Sequence, residues 1–246
     1  MLTIWRNSFR KNNAVLNTGF MLSMVFLCFV IFIMPPLLYA VGCRGLSLSC
    51  PCLVVIALLP PLLFITATMI ILPVKYGFKR TIRGIRMRRW RFSMIFLSVV
   101  TALALMFFLA PLTISFKALL IKLGIPVQEP IFVQLLLHAS GPCLWMLIFA
   151  VTVLAPIAEE LMFRRFIFAF LVPYIGFLPA LVFTAGLFAA VHNSLLQLPA
   201  LFILGIAFQM TYLYYRSIWG GIILHSINNA TAVAVLLISN YLGLIQ

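Results

Sequence analysis

Apolar positions in this chain come in long runs rather than stripes. Seven stretches carry almost no charge over about the 20 residues that a helix needs to cross a hydrocarbon core. They are residues 15–41, 53–74, 93–113, 137–160, 176–195, 198–215 and 219–241. Within each run the side chains are apolar nearly all round a helix, whereas a soluble all-helical core needs one-sided stripes. Lipid offers the backbone no hydrogen-bond partners, so the runs predict helices rather than open strands. The expected fold is all-α: a polytopic membrane bundle of seven helices, eight if one is divided. Composition agrees, with 65% hydrophobic and 8% charged residues, where a soluble domain carries about a quarter charged.

A net charge of +14 over 246 residues would point to nucleic acid in a soluble protein, but its placement points to a membrane surface. Arg6, Arg10 and Lys11 precede the first run. Lys75, Lys79, Arg80, Arg83, Arg86, Arg88, Arg89 and Arg91 lie between the second and third. If the runs alternate across the bilayer, Arg164, Arg165 and Arg216 fall on that side too, and Arg44, Lys117 and Lys122 on the other. The excess of positive charge predicts a cytoplasmic N-terminus and basic loop and an external C-terminus; the expected location is a bacterial plasma membrane. The basic loop sets topology and could also hold anionic head groups. No nucleic-acid motif is present.

Cys28 and Cys143 sit in apolar runs and are expected as core thiols. Cys43, Cys50 and Cys52 share the first external loop, where they serve as small apolar residues or form one bridge in an oxidising compartment. The first run is too long for a signal-peptide core and reads as a retained anchor.

There is no internal repeat, and one membrane domain is expected with unlike halves. Residues 1–135 are generic spans with a basic loop. Residues 136–246 hold the polar groups found within runs: Glu159, Glu160, His192, Gln209, His225, Asn228 and Asn229. An ionisable side chain at mid-bilayer costs about 2.5–3.5 kcal/mol on insertion scales, so such groups face a cavity or a partner.

The chain has no Asp and, outside the adjacent pair, one other acid, Glu129. Glu160 and Arg164 are four apart and share a helical face, so an ion pair is available. Glu159 points about 100° away and has no such partner. Glu160 is therefore the expected structural carboxylate and Glu159 the proton acceptor. The plainer alternative pairs both glutamates with Arg164 and Arg165 at a membrane rim. His192 ends one run, four residues after Phe188. His225 and Asn229 open the last, again four apart on one face. Together these groups suit peptide hydrolysis: Glu159 with His192 to activate water, His225 and Asn229 to donate to an oxyanion.

The three fragments, EExxxR at 159–164, FxxxH at 188–192 and HxxxN at 225–229, in this order resemble the CAAX-protease and bacteriocin-processing (CPBP, or Abi) family of intramembrane glutamate-type proteases. That family includes the Ras-converting type of prenyl-protein endopeptidase. The resemblance covers roughly 150–235. It implies Glu159 and His192 as the water-activating pair, His225 and Asn229 as oxyanion stabilisers, and Glu160, Arg164 and Phe188 in support. Arg165 departs from the pattern, where many members carry glycine.

Zinc on Glu159, His192 and His225 is the competing mechanism. There is no HExxH and the histidines come from different runs, so a metal-free, cofactor-free mechanism is preferred. Ser194 and Ser226 lie near histidines, but no Asp orients them and Gly-x-Ser-x-Gly is absent. His138 is expected at the membrane interface. The expected partners are the bilayer and a peptide or membrane-protein substrate. A non-catalytic immunity or regulatory protein that binds its partner in the same cavity is the rival reading. A proton-relay transporter ranks lower, because no inverted repeat is seen.

Counted from the basic side, Glu159 and His225 lie shallow while His192 lies some fifteen residues deep. Straight, full-length helices would not bring them together. Either 166–177 is a re-entrant piece or the Glu helix kinks at Pro156.

Overall fold

The computed structural model describes residues 50–87 and 91–244. The run 15–41, Cys28 and Cys43, and Arg6, Arg10, Lys11, Arg44, Arg88 and Arg89 lie outside the described residues, as do the side chains of Cys50, Cys52 and Arg80.

The described residues are helical throughout, without strands. We label the helices α1 (Cys50–Tyr76), α2 (Phe78–Gly84), α3 (Phe92–Lys122), α4 (Ile131–His138), α5 (Gly141–Ile175), α6 (Phe177–Ala190), α7 (Leu198–Tyr215) and α8 (Ile218–Tyr241). Five stretches among them are long and apolar enough to cross a membrane: Leu58–Lys75 within α1, then α3, α5, α7 and α8. Large apolar side chains cover their outward faces, including Phe96, Phe107, Phe108 and Ile114 of α3 and Val182 and Phe183 of α6. Lipid is the solvent that tolerates such a surface. The chain is an integral, multi-pass membrane protein.

Two runs are partitioned differently from expectation. The run 137–160 is not one span: α4 ends at His138, and α5 starts at Gly141 and continues to Ile175, 15 residues beyond Glu160. The expectation puts Arg164 and Arg165 at a rim. They are 0% and 1% exposed and lie within that helix rather than at its end. The run 176–195 is not a full span either. Its helix α6 has 14 residues, about 21 Å at 1.5 Å per residue, against a core of about 30 Å.

Packing follows small and aromatic contacts. α6 packs on α7, α7 on α8, and α8 on α3 and the first part of α5, while α1 lies along α5. The main core gathers Phe64, Phe163, Phe166, Phe168, Phe188 and Phe208. Helix α2 folds back on α1 and buries Thr81, Gly84, Ile85 and Arg86, so part of the basic segment is interior. Arg165 Nε donates to the carbonyl of Gly84, and Ile218 N–H to that of Arg86 at 3.1 Å. Cys143, expected as a core thiol, is disulfide-bonded. Its partner is not among the described side chains.

Candidate active site

The depth conflict disappears once α5 runs on to Ile175. The chain turns there on Gly176, whose φ of 85° is open to glycine at little cost, and α6 returns alongside. Glu159 stands 16 residues before Ile175, and His192 stands 15 residues after Phe177. The first arm includes a π-helical segment, Leu161–Phe168, and the two arms of this hairpin bring Glu159 and His192 to one level. Residues 166–175 are thus a continuation of the Glu helix, not a re-entrant piece. His192 Nε2 lies 3.9 Å from Glu159 Oε2, and His225 Nε2 of α8 lies 3.8 Å from the same oxygen.

Both imidazoles are oriented from behind. At the end of α6 the His192 N–H goes to Ala189 O, which leaves the Phe188 carbonyl among the orphans of a helix C-terminus. His192 Nδ1 lies 2.7 Å from it. A carbonyl can only accept, so Nδ1 carries a hydrogen and Nε2 faces Glu159. His225 Nδ1 lies 3.2 Å from Glu160 Oε1, while Glu160 Oε2 accepts from Arg164 Nε at 3.1 Å. Glu160, Arg164 and His225 are all buried. Glu160 thus divides its two oxygens between a guanidinium and an imidazole. Glu159 Oε2, one residue away, is buried with no hydrogen-bond partner among the described residues. Two adjacent carboxylates have opposite environments.

Asn229 is tied to a break in α5. Residues Ala150–Leu154 form a π-helical turn, in which Ala155 N–H reaches back to Ala150 O. The Val151 carbonyl therefore loses the N–H of residue 155. Residue 156, which would serve it in the π register, is proline and has none. Asn229 Nδ2 donates to this orphan at 2.9 Å. One hydrogen of the amide is used there, and Nδ2 carries a second.

Residues 141–231 match the family model described as type II CAAX prenyl endopeptidase, Rce1-like. This segment is similar to that family. The match agrees with the family inferred from the three fragments, and it encloses Glu159, Glu160, Arg164, Phe188, His192, His225 and Asn229. The family is one of membrane endopeptidases, whose substrates are proteins or peptides. No curated protein and no solved structure matches the chain.

The matched segment contains supports that spacing alone did not single out. Phe208 of α7 stacks on His225, with ring centroids 4.4 Å apart and planes 20° apart. Phe188 meets His192 at 4.8 Å and His225 at 5.8 Å. The Arg164 guanidinium carbon sits 4.9 Å from the ring of Phe188, 5.8 Å from Phe163 and 5.7 Å from Phe208. Its two terminal nitrogens have no hydrogen-bond partner among the described residues. Such desolvated cation–π contacts are worth about 2 kcal/mol or more in favourable cases. Gly221, one turn before His225 on α8, faces the Glu160 carboxylate so closely that a Cβ there would overlap Oε2. The four-residue spacing Gly221–His225 was a usable signal for it, whereas Phe163 and Phe208 gave none in so aromatic a chain.

Other expected candidates lie apart from this chemistry. Ser194 accepts the Gln197 N–H in the turn after α6. His138 Nδ1 bonds back to the Gln134 carbonyl on the exposed side of α4. Among the described residues, no group of three or more His, Cys, Asp or Glu side chains is placed to hold a metal ion.

Proposed function

We propose that the protein is an intramembrane endopeptidase in which Glu159 acts as general base on a water molecule. The observation that carries this reading is the Glu159 Oε2 atom, buried, without a hydrogen-bond partner among the described residues, and 3.8 and 3.9 Å from two imidazole nitrogens. Separations of that size suit one bridging molecule better than direct contact. A water bound there attacks the scissile carbonyl as Glu159 takes its proton, Glu159 then hands that proton to the leaving amine, and His192, with Nε2 directed at the same point, holds the water. His225 and the second amide hydrogen of Asn229 serve the developing oxyanion. Glu160 and Arg164 hold His225 in place.

His192 is the open member of the set, with 28% of its side chain exposed against 3% for His225. Substrate is therefore taken to enter past His192. The disulfide at Cys143 near the start of α5, and the basic segment beyond the end of α1, support an orientation with Cys143 on the oxidising face and Lys75–Arg91 in the cytoplasm. The N-terminus is then cytoplasmic, and cleavage falls toward the cytoplasmic side.

The test is incubation of the purified full chain with a library of membrane peptides, with and without a chelator. Cleavage that survives chelation and vanishes in Glu159→Gln is the expected result. Cleavage lost on chelation and restored by zinc would overturn the metal-free route. Normal turnover by a folded Glu159→Gln protein would remove Glu159 from the mechanism. If that variant fully restores a deletion phenotype, the cavity serves binding rather than hydrolysis.

A further inference from the structure

A second cavity of about 630 Å³ lies between the start of α3 and the end of α7. It does not touch the Glu159 site, and it is built in two tiers. The upper tier is cationic and polar, with Arg91, Ser93, Tyr214 and Arg216. The lower tier is apolar, with Phe96 and Leu97 about one helical turn further along α3 and both open to the outside. Tyr215 fastens the two helices together, its hydroxyl donating to the Ser93 carbonyl at 3.0 Å. Helix α3 is 31 residues long, and its N-terminus has no acidic residue in the first turn and no side-chain cap. The partial positive charge of that terminus adds to the Arg91 and Arg216 guanidinium groups.

We propose that this cavity binds the phosphate head group of an anionic phospholipid. Both helices that form it are membrane-spanning, and the cavity sits where one begins and the other ends. A molecule that satisfies both tiers must carry an anion at one end and hydrocarbon immediately below it. The phosphate sits between Arg91 and Arg216, and the acyl chains run down over Phe96 and Leu97. A free phosphate ester would engage only the upper tier. This assignment needs the membrane reading alone and is independent of the protease reading.

The test is lipid titration of the purified full chain in neutral detergent, read by native mass spectrometry. The probes are phosphatidylglycerol, phosphatidylcholine and soluble glycerol phosphate. One phosphatidylglycerol should bind at least tenfold more tightly than phosphatidylcholine. Arg91→Gln and Arg216→Gln should each weaken it about fivefold, the effect of one basic residue near an anionic surface. Lys79→Gln, an exposed charge on α2 outside the cavity, should leave it unchanged. Equal binding of the two lipids, or an equal loss in Lys79→Gln, would overturn the site in favour of a diffuse basic surface. Glycerol phosphate binding as tightly as the lipid would overturn the lipid assignment. If Arg216→Gln unfolds, Arg91→Gln decides alone, since Arg91 is exposed at the very start of its helix.

Discussion

Helices α3 and α5 are the two longest among the described residues, 31 and 35 residues, and both are apolar enough to cross a bilayer. They use that length differently. α3 buries a narrow seam of Met94, Ser98, Ala102, Leu109 and Leu120 against its neighbours and turns phenylalanines outward. α5 buries Glu159, Glu160, Arg164 and Arg165. Apolar character therefore identifies what crosses the membrane and says nothing about what works inside it. The work is marked by groups that lipid would not tolerate and that a second helix must accommodate.

The sharpest way to break this contrast is Glu159→Gln. Loss of a general base should lower turnover about 10²–10⁴-fold while the thermal midpoint in detergent holds; a peptide cleavage assay beside a melting curve reads both. Glu160→Gln should do the reverse of sparing the fold. Removing one partner of a buried ion pair costs about 3–5 kcal/mol, so yield and midpoint should fall steeply, and unchanged values would dissolve the distinction between the two glutamates. Gly221→Ala forces a methyl against the Glu160 carboxylate and should cost about 1–3 kcal/mol as overpacking, seen as a smaller drop in midpoint. Asn229→Ala leaves the Val151 carbonyl unpaired, a loss of about 1 kcal/mol, to be measured by faster hydrogen exchange around 151–156. On α3, Phe107→Ala faces outward at 76% exposure and should stay within about 0.5 kcal/mol. A larger shift there would mean that a protein partner, not lipid, covers that face.

Much of the candidate site was legible because its residues are costly where they stand. Glu159, Glu160, His192 and His225 are conspicuous in apolar runs, and the four-residue spacings supplied Glu160–Arg164. The extent of α5 was hidden by the same rule. Arg164 and Arg165 ordinarily mark the end of a span, but here they are interior because Phe163, Phe188, Phe208 and the Gly84 carbonyl receive them. Those partners come from distant parts of the chain, and no local pattern records them. The short α6 was misjudged for a related reason, since its apolar run continues beyond the point where the helix stops at Ala190. The disulfide at Cys143 escaped because an apolar neighbourhood says nothing about whether a second cysteine is within reach.

The hairpin about Gly176 makes the chain its own ruler. Glu159 and His192 meet because the strokes before and after the turn are nearly equal in length. Adding or removing one residue in either arm would slide one group about 1.5 Å past the other and swing it through about 100°. Changes of length between 160 and 191 can therefore be absorbed only in matched pairs, or in a π-helical segment such as Leu161–Phe168. The turn at 192–197, beyond the measured interval, is where descendants of this sequence are free to grow.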